Sequence, residues 1–462
     1  MSSDNSLSTP YGAMRNDRSL APLAEICQKR GGIQTGPFGS QLHSSDYVEE
    51  GTPIITVEHL GENTINGENA PRVSEEDLAR LAKFLMSPGD IVFSRVGSVD
   101  KRGLVTKNEE GWLFSGRLLR VRPNPDCVDP AYLSYFFGLP KFKDYIRSIA
   151  VGATMPSLNT RLLAELPIVL APLPQQRYIG KALLNLDLKI RLNEEISSTL
   201  ESIAQTLFRS WFVDFDPVRA KMAGEKPVGM DDATAALFPE SMEESELGEI
   251  PAGWAPIPLG DIAVPTLGGL WGNDEPGVDA LDSYFCLRGV DMDDLKSRGY
   301  ADRTPVRWDK PEKVEKRRLE NHHVLVAASG AGPVGKSLLW DEVMNDLFPG
   351  PVVFSNFVKR FESPDQYHAT FVSQIMSHIY ATGEIFEFVN GTSVPNLQDK
   401  ELLRAKHVAL PPVELLRTFD SIVRSGLLRR FSGENRTLTI IRDSLLPRLI
   451  SGELRVPEDL VA

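Results

Sequence analysis

The chain has 462 residues, 42% of them apolar, and a net charge of −13; this size exceeds one ordinary hydrophobic core and predicts two or three domains. Its apolar runs stay well short of the roughly 18 residues that a membrane span needs, and its polar start lacks a signal-peptide core, so we expect a cytoplasmic protein. The three cysteines are far apart and odd in number, which argues against a disulfide framework or a zinc site. The acidic balance argues against a general polyanion-binding surface and leaves only local basic patches for that role.

The first globular unit is predicted at residues 20–172, after a flexible polar tail at residues 1–19. It opens with a turn-rich loop, GPFGS, at residues 36–40. Short apolar strands then alternate with helical patterns, of which one is opened by Ser74 as its N-cap and another begins at Pro130. This mixture predicts an α+β domain.

Residues 173–216 form the longest helical pattern, and they contain no proline after Pro174. About forty residues at 1.5 Å each give a rod of roughly 60 Å, which is typical of a spacer or a coiled coil. Apolar residues recur on one face and predict a contact seam with another helix. The seam residues are Leu192, Ile196, Leu200, Ile203 and Leu207. Four aromatic residues follow, for which ordinary core is the default interpretation and a partner interface the sharper one. These are Phe208, Trp211, Phe212 and Phe215.

An acidic, proline-containing connector is predicted at residues 217–255, either as a linker or as an extended wrapping segment. A second α+β unit follows at residues 256–412. It repeats the order of elements of the first unit, with a turn-rich loop at residues 266–272 and a strand that runs into Ser329 and Gly330. Two units with the same order of elements but little common sequence suggest one task performed on different targets.

The chain is predicted to end in a second long helix at residues 413–454 and a tail at residues 455–462. Four residues of this helix repeat the central one at a constant offset of 238 positions. They are Thr437, Leu438, Ile441 and Leu445, which follow Thr199, Leu200, Ile203 and Leu207. These ordered matches predict an internal duplication. Gly426 and Gly433 each cost a helix about 1 kcal/mol, so we expect this helix to bend or break near them.

Two stretches, residues 95–122 and 303–318, each hold seven Lys or Arg against three Asp or Glu. A solvated face is the bland explanation, and phosphate contact is the sharper one. Residues 330–337, GAGPVGKS, fit the phosphate-binding loop pattern, in which Lys336 would contact a nucleotide. The short segment that follows argues against nucleotide hydrolysis, and a Gly-rich turn that carries Lys336 to a DNA phosphate is favoured. No metal ligands and no catalytic residues are predicted.

In several of these segments the chain resembles the specificity subunit of type I restriction-modification systems. The resemblance covers nearly the whole chain and rests on LPQQ at 173–176, LFRSWFVDF at 207–215, GPFGS at 36–40 and RDSLLPRLISGEL at 442–454. It implies two target recognition domains, each reading one half of a split double-stranded DNA sequence, held apart by two long antiparallel helices. It also implies that the helices dock two methyltransferase subunits and that motor-nuclease subunits join them. S-adenosylmethionine, ATP and Mg²⁺ would then be bound by these partners, and this chain would be no enzyme.

Loops that combine glycine with polar or basic residues are the predicted DNA contacts. The candidates are Gly36, Ser40, Arg95, Lys101, Arg102, Gly268, Gly269, Ser329, Gly330 and Lys336. The aromatic group from Phe208 to Phe215 is the predicted partner-docking site. Two alternatives stay open: an NTPase that uses residues 330–337, and an assembly scaffold that never touches DNA.

Overall fold

The computed structural model describes residues 6–152, 155–277, 281–330, 332–391, 393–430 and 433–457. It divides into two compact units. The first unit comprises residues 1–189 and 438–462, and the second comprises residues 190–437. Both units mix helices with strands, which confirms the predicted α+β class. Among the described residues, no helix has both the length and the apolar character needed to cross a membrane.

The first unit is built on a five-stranded sheet, antiparallel except for one edge pair. In spatial order its strands are Ile33–Thr35, Leu118–Val121, Ile91–Ser94, Arg102–Leu104 and Glu62–Asn63. The strands IVFS and LLRV are buried along their whole length, so both of their faces are covered. A second sheet has the order Leu113–Phe114, Thr52–Ile55, Arg72–Val73 and Tyr47–Val48, with a parallel first pair. Two smaller antiparallel pairs are Ser6–Thr9 with Gly12–Arg15 and Ser19–Pro22 with Pro167–Leu170.

Three helices of the first unit begin at a capping side chain, namely Ser74, Asp129 and Asn159. The Asp129 carboxylate accepts a hydrogen bond from the Tyr132 amide at 2.8 Å, and Pro130 occupies the first helical position. The helix predicted from Pro130 to about residue 149 is in fact two helices, because Pro140 starts the second of them. The α-helices that lie wholly in this unit are Glu75–Arg80, Pro130–Phe136, Pro140–Ile149 and Thr160–Ala164.

The second unit contains a four-stranded antiparallel sheet and a three-stranded sheet. The first has the order Val264–Pro265, Val358–Glu362, His323–Ala327 and Ser337–Trp340, and the second has the order Val306–Asp309, Asp282–Leu287 and Val352–Phe354. The pair formed by the last two strands is parallel, like the equivalent pair in the first unit. The remaining pairs are Ala255–Pro258 with His407–Leu410, Met242–Ser245 with Gly248–Pro251, and Val389–Asn390 with Asn396–Leu397.

Most helices of the second unit are short and link the strands. The α-helices are Asp216–Met222, Asp232–Ala236, Gly289–Arg298, Pro311–Glu315, Glu342–Asn345, Gln366–Ala381, Asp399–Ala405 and Val413–Arg429. Single 3-10 turns occur in both units, at Leu23–Ile26, Gly39–Gln41, Ser44–Asp46, Val57–His59, Ala82–Phe84, Lys107–Glu109, Leu259–Asp261 and Glu384–Phe388.

The two units repeat individual backbone hydrogen bonds around the ends of their central strands. From N–H donor to carbonyl acceptor, the matching bonds are Gly97 to Pro156 and Gly330 to Pro395, Arg95 to Arg117 and Ala328 to Phe357, and Leu158 to Arg95 and Leu397 to Ala328. The sheet register agrees as well, since Ile91 pairs with Val121 as Val324 pairs with Phe361. Residues at corresponding positions of the two units can therefore be compared one by one.

The longest helix, Leu173–Phe212, is the central helix, and it contributes residues to both units. It begins at LPQQ, where Gln176 is buried and its amide group donates to the Ala171 carbonyl at 2.7 Å. The same side chain accepts a hydrogen bond from the Asp129 amide at 3.0 Å. Gln176 therefore links the start of the central helix to the helix at Pro130 of the first unit. The helix ends at Phe212 rather than at the predicted residue 216, because Phe215 adopts a left-handed conformation with φ of 56°.

Within the second unit, the central helix runs antiparallel to later segments. Asn193 donates to Asn435 at 2.9 Å, while Glu201 pairs with Arg430 at 2.9 Å, so partner numbers fall as helix numbers rise. Within the first unit, Asp187 of the same helix pairs with Arg442 at 2.7 Å. Asp187 also accepts a hydrogen bond from the Tyr135 hydroxyl.

The predicted single helix at residues 413–454 is interrupted. The structure has two helices, Val413–Arg429 and Glu434–Ser451, and Gly433 lies before the second with φ of 74°. A left-handed residue cannot continue a right-handed helix, and glycine adopts this conformation at little cost. The break was expected near Gly433, whereas Gly426 stays helical and lies against Leu200.

The predicted N-terminal tail, residues 1–19, is folded from residue 6 onward. It forms a hairpin whose residues Tyr11 and Met14 are buried in the core of the first unit. Arg18 is also buried, and its guanidinium donates to the carbonyls of Leu449 and Ile450 at 3.1 Å. The prediction of a flexible tail is therefore wrong for these residues, because their alternating pattern was too short to be recognised as strand.

The predicted connector, residues 217–255, is not an open linker. It holds two helices and a hairpin, and Val218, Phe238 and Trp254 lie in the core of the second unit. The wrapping interpretation therefore describes it. In the predicted tail at residues 455–462, Val456 is buried in the core of the first unit, and residues 458–462 lie outside the described residues.

Candidate nucleic-acid interface

A cleft of about 720 Å³ opens on the first unit beside the turn at residues 115–118. Part of its lining is apolar or aromatic. These residues are Pro37, Phe38, Leu42, Tyr47 and Val57. The rest is polar or charged, apart from Gly116. These residues are Thr56, Glu58, Lys101, Ser115 and Arg117.

The turn at residues 115–118 is held rigidly between the two sheets of the first unit. The Ser115 amide donates to the Ile55 carbonyl, and the Leu118 amide donates to the Ser115 carbonyl, both at 2.9 Å. Gly36 touches this turn so closely that a Cβ atom would lie 2.2 Å from the Ser115 carbonyl oxygen. Only glycine fits there, and the GPFGS loop is thereby fixed beside the cleft.

The cleft offers unsatisfied donors and cations. Lys101 and Arg117 are exposed, and in the described part of the chain no carboxylate lies within ion-pair distance of either. The Ser115 hydroxyl is buried and finds no hydrogen-bond partner there among the described residues. Glu58 is exposed and accepts a hydrogen bond from the Thr56 hydroxyl at 2.9 Å. Such a set of donors and acceptors suits phosphates and base edges.

Four of the five candidates predicted in the first unit lie at or near this cleft. Lys101 lines it, Gly36 touches its turn, and Ser40 lies in the adjoining 3-10 helix Gly39–Gln41. Arg95 acts indirectly, because its guanidinium donates to the Gly116 carbonyl at 3.2 Å and supports the turn.

Arg102 does not face the cleft, and its prediction as a DNA contact is wrong. Its side chain is 2% exposed. It donates to the Ser134 carbonyl and pairs with Glu62, both at 2.6 Å. The Arg102 guanidinium is therefore buried and directed to partners inside the unit rather than to the cleft.

Sequence reasoning missed Arg117 and Glu58 as candidates. The only signal for Arg117 was its place in the basic stretch at residues 95–122. That signal was ambiguous, because Arg122 of the same stretch pairs with Asp90 at 2.6 Å. Arg120 is likewise internal, where its guanidinium donates to the Leu85 carbonyl and burial lowers its pKa to about 10. Composition does not separate arginines used inside the fold from those left on its surface.

The second unit has a matching turn at residues 355–358 with a different tip. The Ser355 amide donates to Leu287 at 2.8 Å, and the Val358 amide donates to Ser355 at 3.0 Å. A Cβ atom on Gly269 would lie 2.2 Å from the Ser355 carbonyl, as at Gly36. The exposed tip residue is Phe357, in the position that Arg117 occupies in the first unit.

The loop at residues 266–272 carries another exposed aromatic residue. Trp271 lies under the Arg307 guanidinium, which is 4.2 Å from its ring centroid and forms a cation–π contact. The second unit therefore presents two exposed aromatic residues, Trp271 and Phe357, near this loop and turn. Arg317 supports the loop by donating to the Gly268 carbonyl at 2.8 Å.

The candidates predicted in the second unit have separate roles. Gly269 contacts the turn, but a Cβ atom on its neighbour Gly268 would meet nothing within 4 Å. Ser329 is 8% exposed and forms a β-bridge with Asn396, and Gly330 donates to a backbone carbonyl. Lys336 forms an ion pair with Asp293 at 2.8 Å, so its charge is already compensated.

The phosphate-binding loop alternative is contradicted by the structure of residues 330–337. This segment joins two antiparallel strands, whereas a phosphate-binding loop leads from a strand into a helix. The amides of Val334, Gly335 and Lys336 are bonded to carbonyls of the same hairpin. They are not available to cradle a phosphate.

The predicted aromatic docking group is buried. Phe208, Trp211, Phe212 and Phe215 are 2–9% exposed and belong to the core of the second unit. Their rings pack against Phe371 and Phe419, among others. The default interpretation as core is therefore correct, and a partner cannot reach these side chains.

The predicted helix seam is only partly formed. Leu192, Ile203 and Ile441 are 40–55% exposed, so they are not seam contacts. Ile196, Leu200, Leu207, Leu438 and Leu445 are half-buried. The buried face of the central helix in the second unit instead carries Ser197, Ala204, Phe208 and Trp211.

No reactive centre is apparent in the part of the chain that the structure describes. It contains no group of three or more His, Cys, Asp or Glu residues that could hold a metal ion. Burial raises the pKa of the Cys27 and Cys286 thiols to about 12, so neither is a thiolate nucleophile near neutral pH.

Comparisons with known proteins agree with this arrangement. Residues 22–202 match the family model described as "Type I restriction modification DNA specificity domain". The chain is 29% identical over 466 residues to the putative type I restriction enzyme MjaX specificity subunit of Methanocaldococcus jannaschii, covering 98% of this chain and 97% of that protein. It is 25% identical over 434 residues to the type I restriction enzyme HindI specificity subunit of Haemophilus influenzae, covering 82% and 89%. The crystal structure of a type I restriction-modification S subunit from M. genitalium has a similar fold, with a TM-score of 0.52 and 14% identity over 94% of this chain and 96% of that one.

Proposed function

Because this chain belongs to the family of type I restriction-modification specificity subunits, we propose that it is the DNA-reading component of such a system. Each unit reads one half of a bipartite target in double-stranded DNA. The chain itself is not catalytic, and it directs partner enzymes to the sequence that it recognises.

The observation that carries this proposal is the repeated turn. Both units fix a rigid turn with the same hydrogen bonds and the same close glycine, yet they present different side chains at its tip. Two domains that recognise different half-sites need the same turn backbone with different exposed side chains. In the first unit the turn borders a cleft with the uncompensated cations Lys101 and Arg117, which suit the phosphate backbone and base edges.

The central helix is the proposed spacer. Its 40 residues correspond to about 60 Å, and reading heads one helical turn apart on DNA need centres roughly 34 Å apart. The antiparallel contacts at Asn193–Asn435 and Glu201–Arg430 support a paired-helix spacer within the second unit. The internal duplication is part of the same proposal, and the matched hydrogen bonds of the two units support it.

Methyltransferase subunits are the proposed partners of the central helix. Since the aromatic group is buried, we assign their docking to the exposed face that carries Leu192, Thr199 and Ile203. These residues share one side of the helix, at steps of 7 and 4. S-adenosylmethionine, ATP and Mg²⁺ belong to the methyltransferase and motor-nuclease partners in this proposal.

The decisive experiment maps all methylated bases in a host genome. A host that lacks this chain is complemented with the chain and its methyltransferase partner, and modified bases are mapped by long-read sequencing. We expect one bipartite motif that disappears when the chain is omitted. Methylation without a bipartite motif, or a motif that persists without the chain, would contradict the proposal. Either result would favour a scaffold that does not recognise DNA.

A further inference from the structure

The tips of the two matching turns carry different side chains on backbone segments that are fixed by corresponding hydrogen bonds. In the first unit, the Arg95 amide donates to the Arg117 carbonyl at 2.8 Å. In the second unit, the Ala328 amide donates to the Phe357 carbonyl at the same distance. The backbone of each tip is fixed by these bonds, so its side chain can change without disturbing the frame.

Arg117 is poised to contact a ligand. Its side chain lines the cleft, is exposed, and has no hydrogen-bond or ion-pair partner among the described residues. The nearby Arg122 and Arg120 show the contrast, because both are held by internal acceptors. An exposed guanidinium without an internal acceptor, carried on a rigid turn, points to an acceptor supplied from outside.

The side-chain chemistry of each tip residue indicates which group on DNA it would contact. A planar guanidinium donates two parallel hydrogen bonds, which match the O6 and N7 acceptors of guanine in the major groove. Phe357 offers no hydrogen bond and is 57% exposed. An apolar side chain at a reading position selects the C5 methyl group of thymine.

We infer that the tip residue of this turn determines specificity in each unit: Arg117 selects a guanine in one half-site, and Phe357 selects a thymine in the other. This inference rests on the proposed function. It adds the base chemistry of each half-site and names the residues that read it.

The test uses methylomes of the complete complex with single variants of this chain. Arg117→Ala is expected to relax one guanine position of one half-site by roughly tenfold or more, while the other half-site and the spacer stay fixed. Arg117→Lys keeps the charge but loses the two-pronged geometry. It is therefore expected to relax the same position, whereas a phosphate contact would survive this change. Phe357→Ala is expected to relax one thymine position of the opposite half-site.

Arg161→Ala and Phe386→Ala are the matched controls, because both side chains are exposed in the same units and neither lies on the turn. Both should leave the motif unchanged. The inference is overturned if Arg117→Ala lowers methylation uniformly, if the relaxed position is not guanine, or if the motif of Arg117→Lys stays strict. A wild-type methylome with no chain-dependent motif would instead remove the proposed function on which the inference rests.

Discussion

One corresponding pair of residues in the central sheets of the two units carries different chemistry. In the first unit, the buried Asp90 pairs with Arg122, with oxygen–nitrogen distances of 2.6 and 2.7 Å. The second unit has His323 and Glu362 at the same register positions, with nitrogen and oxygen 3.8 Å apart. The acidic and basic residues have exchanged strands, while the pairing of the strands is unchanged.

This exchange shows that the register of the sheet does not depend on which of the two strands carries the acidic residue. Both units keep a buried arginine beside the pair, Arg120 in the first and Arg360 in the second. What differs is burial, since Asp90 is 1% exposed and the Glu362 side chain is 52% exposed. The first pair is an internal part of its unit, and the second lies at the edge of solvent. The same strand register therefore holds with different chemistry at this position.

The largest expected effect is a difference in unfolding free energy between variants of these two pairs. Asp90→Asn leaves Arg122 and the buried Arg120 without a counter-charge, and it is expected to cost about 3–5 kcal/mol of unfolding free energy. Glu362→Gln is the exposed counterpart: Glu362 also pairs with the buried Arg360 at 3.2 Å, but its side chain is 52% exposed, so solvent screens both pairs and the loss should be only about 1 kcal/mol. Chemical denaturation of the full chain measures both. Equal losses for the two variants would contradict the difference in burial.

A loss of stability of similar size is expected when the glycine that contacts the turn is replaced in either unit. Gly36→Ala and Gly269→Ala each place a Cβ atom 2.2 Å from a backbone carbonyl oxygen. Each should cost roughly 2–3 kcal/mol, because the backbone must move to make room. Gly268→Ala is the control, since a Cβ atom there meets nothing within 4 Å. Thermal unfolding distinguishes them, and a Gly268→Ala variant as unstable as Gly269→Ala would refute the proposed contact.

The next largest effect is expected at low pH, where protonation of a buried histidine should destabilise the second unit. Burial lowers the pKa of His323 to about 4, with Arg360 and His322 contributing, so the folded second unit holds this imidazole neutral. The unfolded chain binds a proton near pH 6.5. Stability is therefore fully present above about pH 6.5 and is lost as the pH falls towards 4, by about 2 kcal/mol at pH 5.

The His323→Asn variant checks this acid sensitivity. It should flatten the dependence of unfolding free energy on pH between about 6.5 and 4. Unchanged acid sensitivity in His323→Asn would place the responsible group elsewhere.

The smallest expected effect compares two corresponding lysines. Lys101→Ala removes an uncompensated charge from the cleft and should weaken DNA binding by the complex a few-fold, reducing the salt slope by about 1. Lys336→Ala removes a charge that Asp293 already neutralises, so its salt slope should stay unchanged. Binding titrations at several salt concentrations provide the measurement. ATP turnover of the complex should be the same for Lys336→Ala as for the parent, and its loss would revive the NTPase alternative.

Sequence patterns predicted the elements with strong periodicity. The apolar strand from Ile91, the helix start at Pro130 and the long central helix are all found, because local spacing alone specifies them. The break near Gly433 was also predictable, since glycine is the residue that a left-handed conformation favours. The hairpin at residues 6–15 was not, because two strands of four residues carry too little alternation.

The candidate site was less predictable, since side-chain direction decides it. Lys101 and Arg102 are neighbours in sequence, but Lys101 lies just before the strand Arg102–Leu104 and lines the cleft, whereas Arg102 is the first strand residue and is buried. The central helix posed the same difficulty. Leu192 and Ile203 looked like the inner face, but Ala204 and Phe208 are the buried residues. Periodicity shows that a helix has an apolar face, but only its neighbours determine which face is covered.

The hydrogen bonds of Arg18 to the carbonyls of Leu449 and Ile450 have a consequence for biosynthesis. They join residues 431 and 432 positions apart, so the first unit needs the terminal helix before its core can close. At about 5–20 residues per second, the ribosome needs roughly 12–50 s to pass from residue 189 to residue 438. The residues of the first unit that are synthesised first are therefore expected to keep apolar surface uncovered until the terminal helix has been made, and truncation at that helix is expected to leave this unit incomplete.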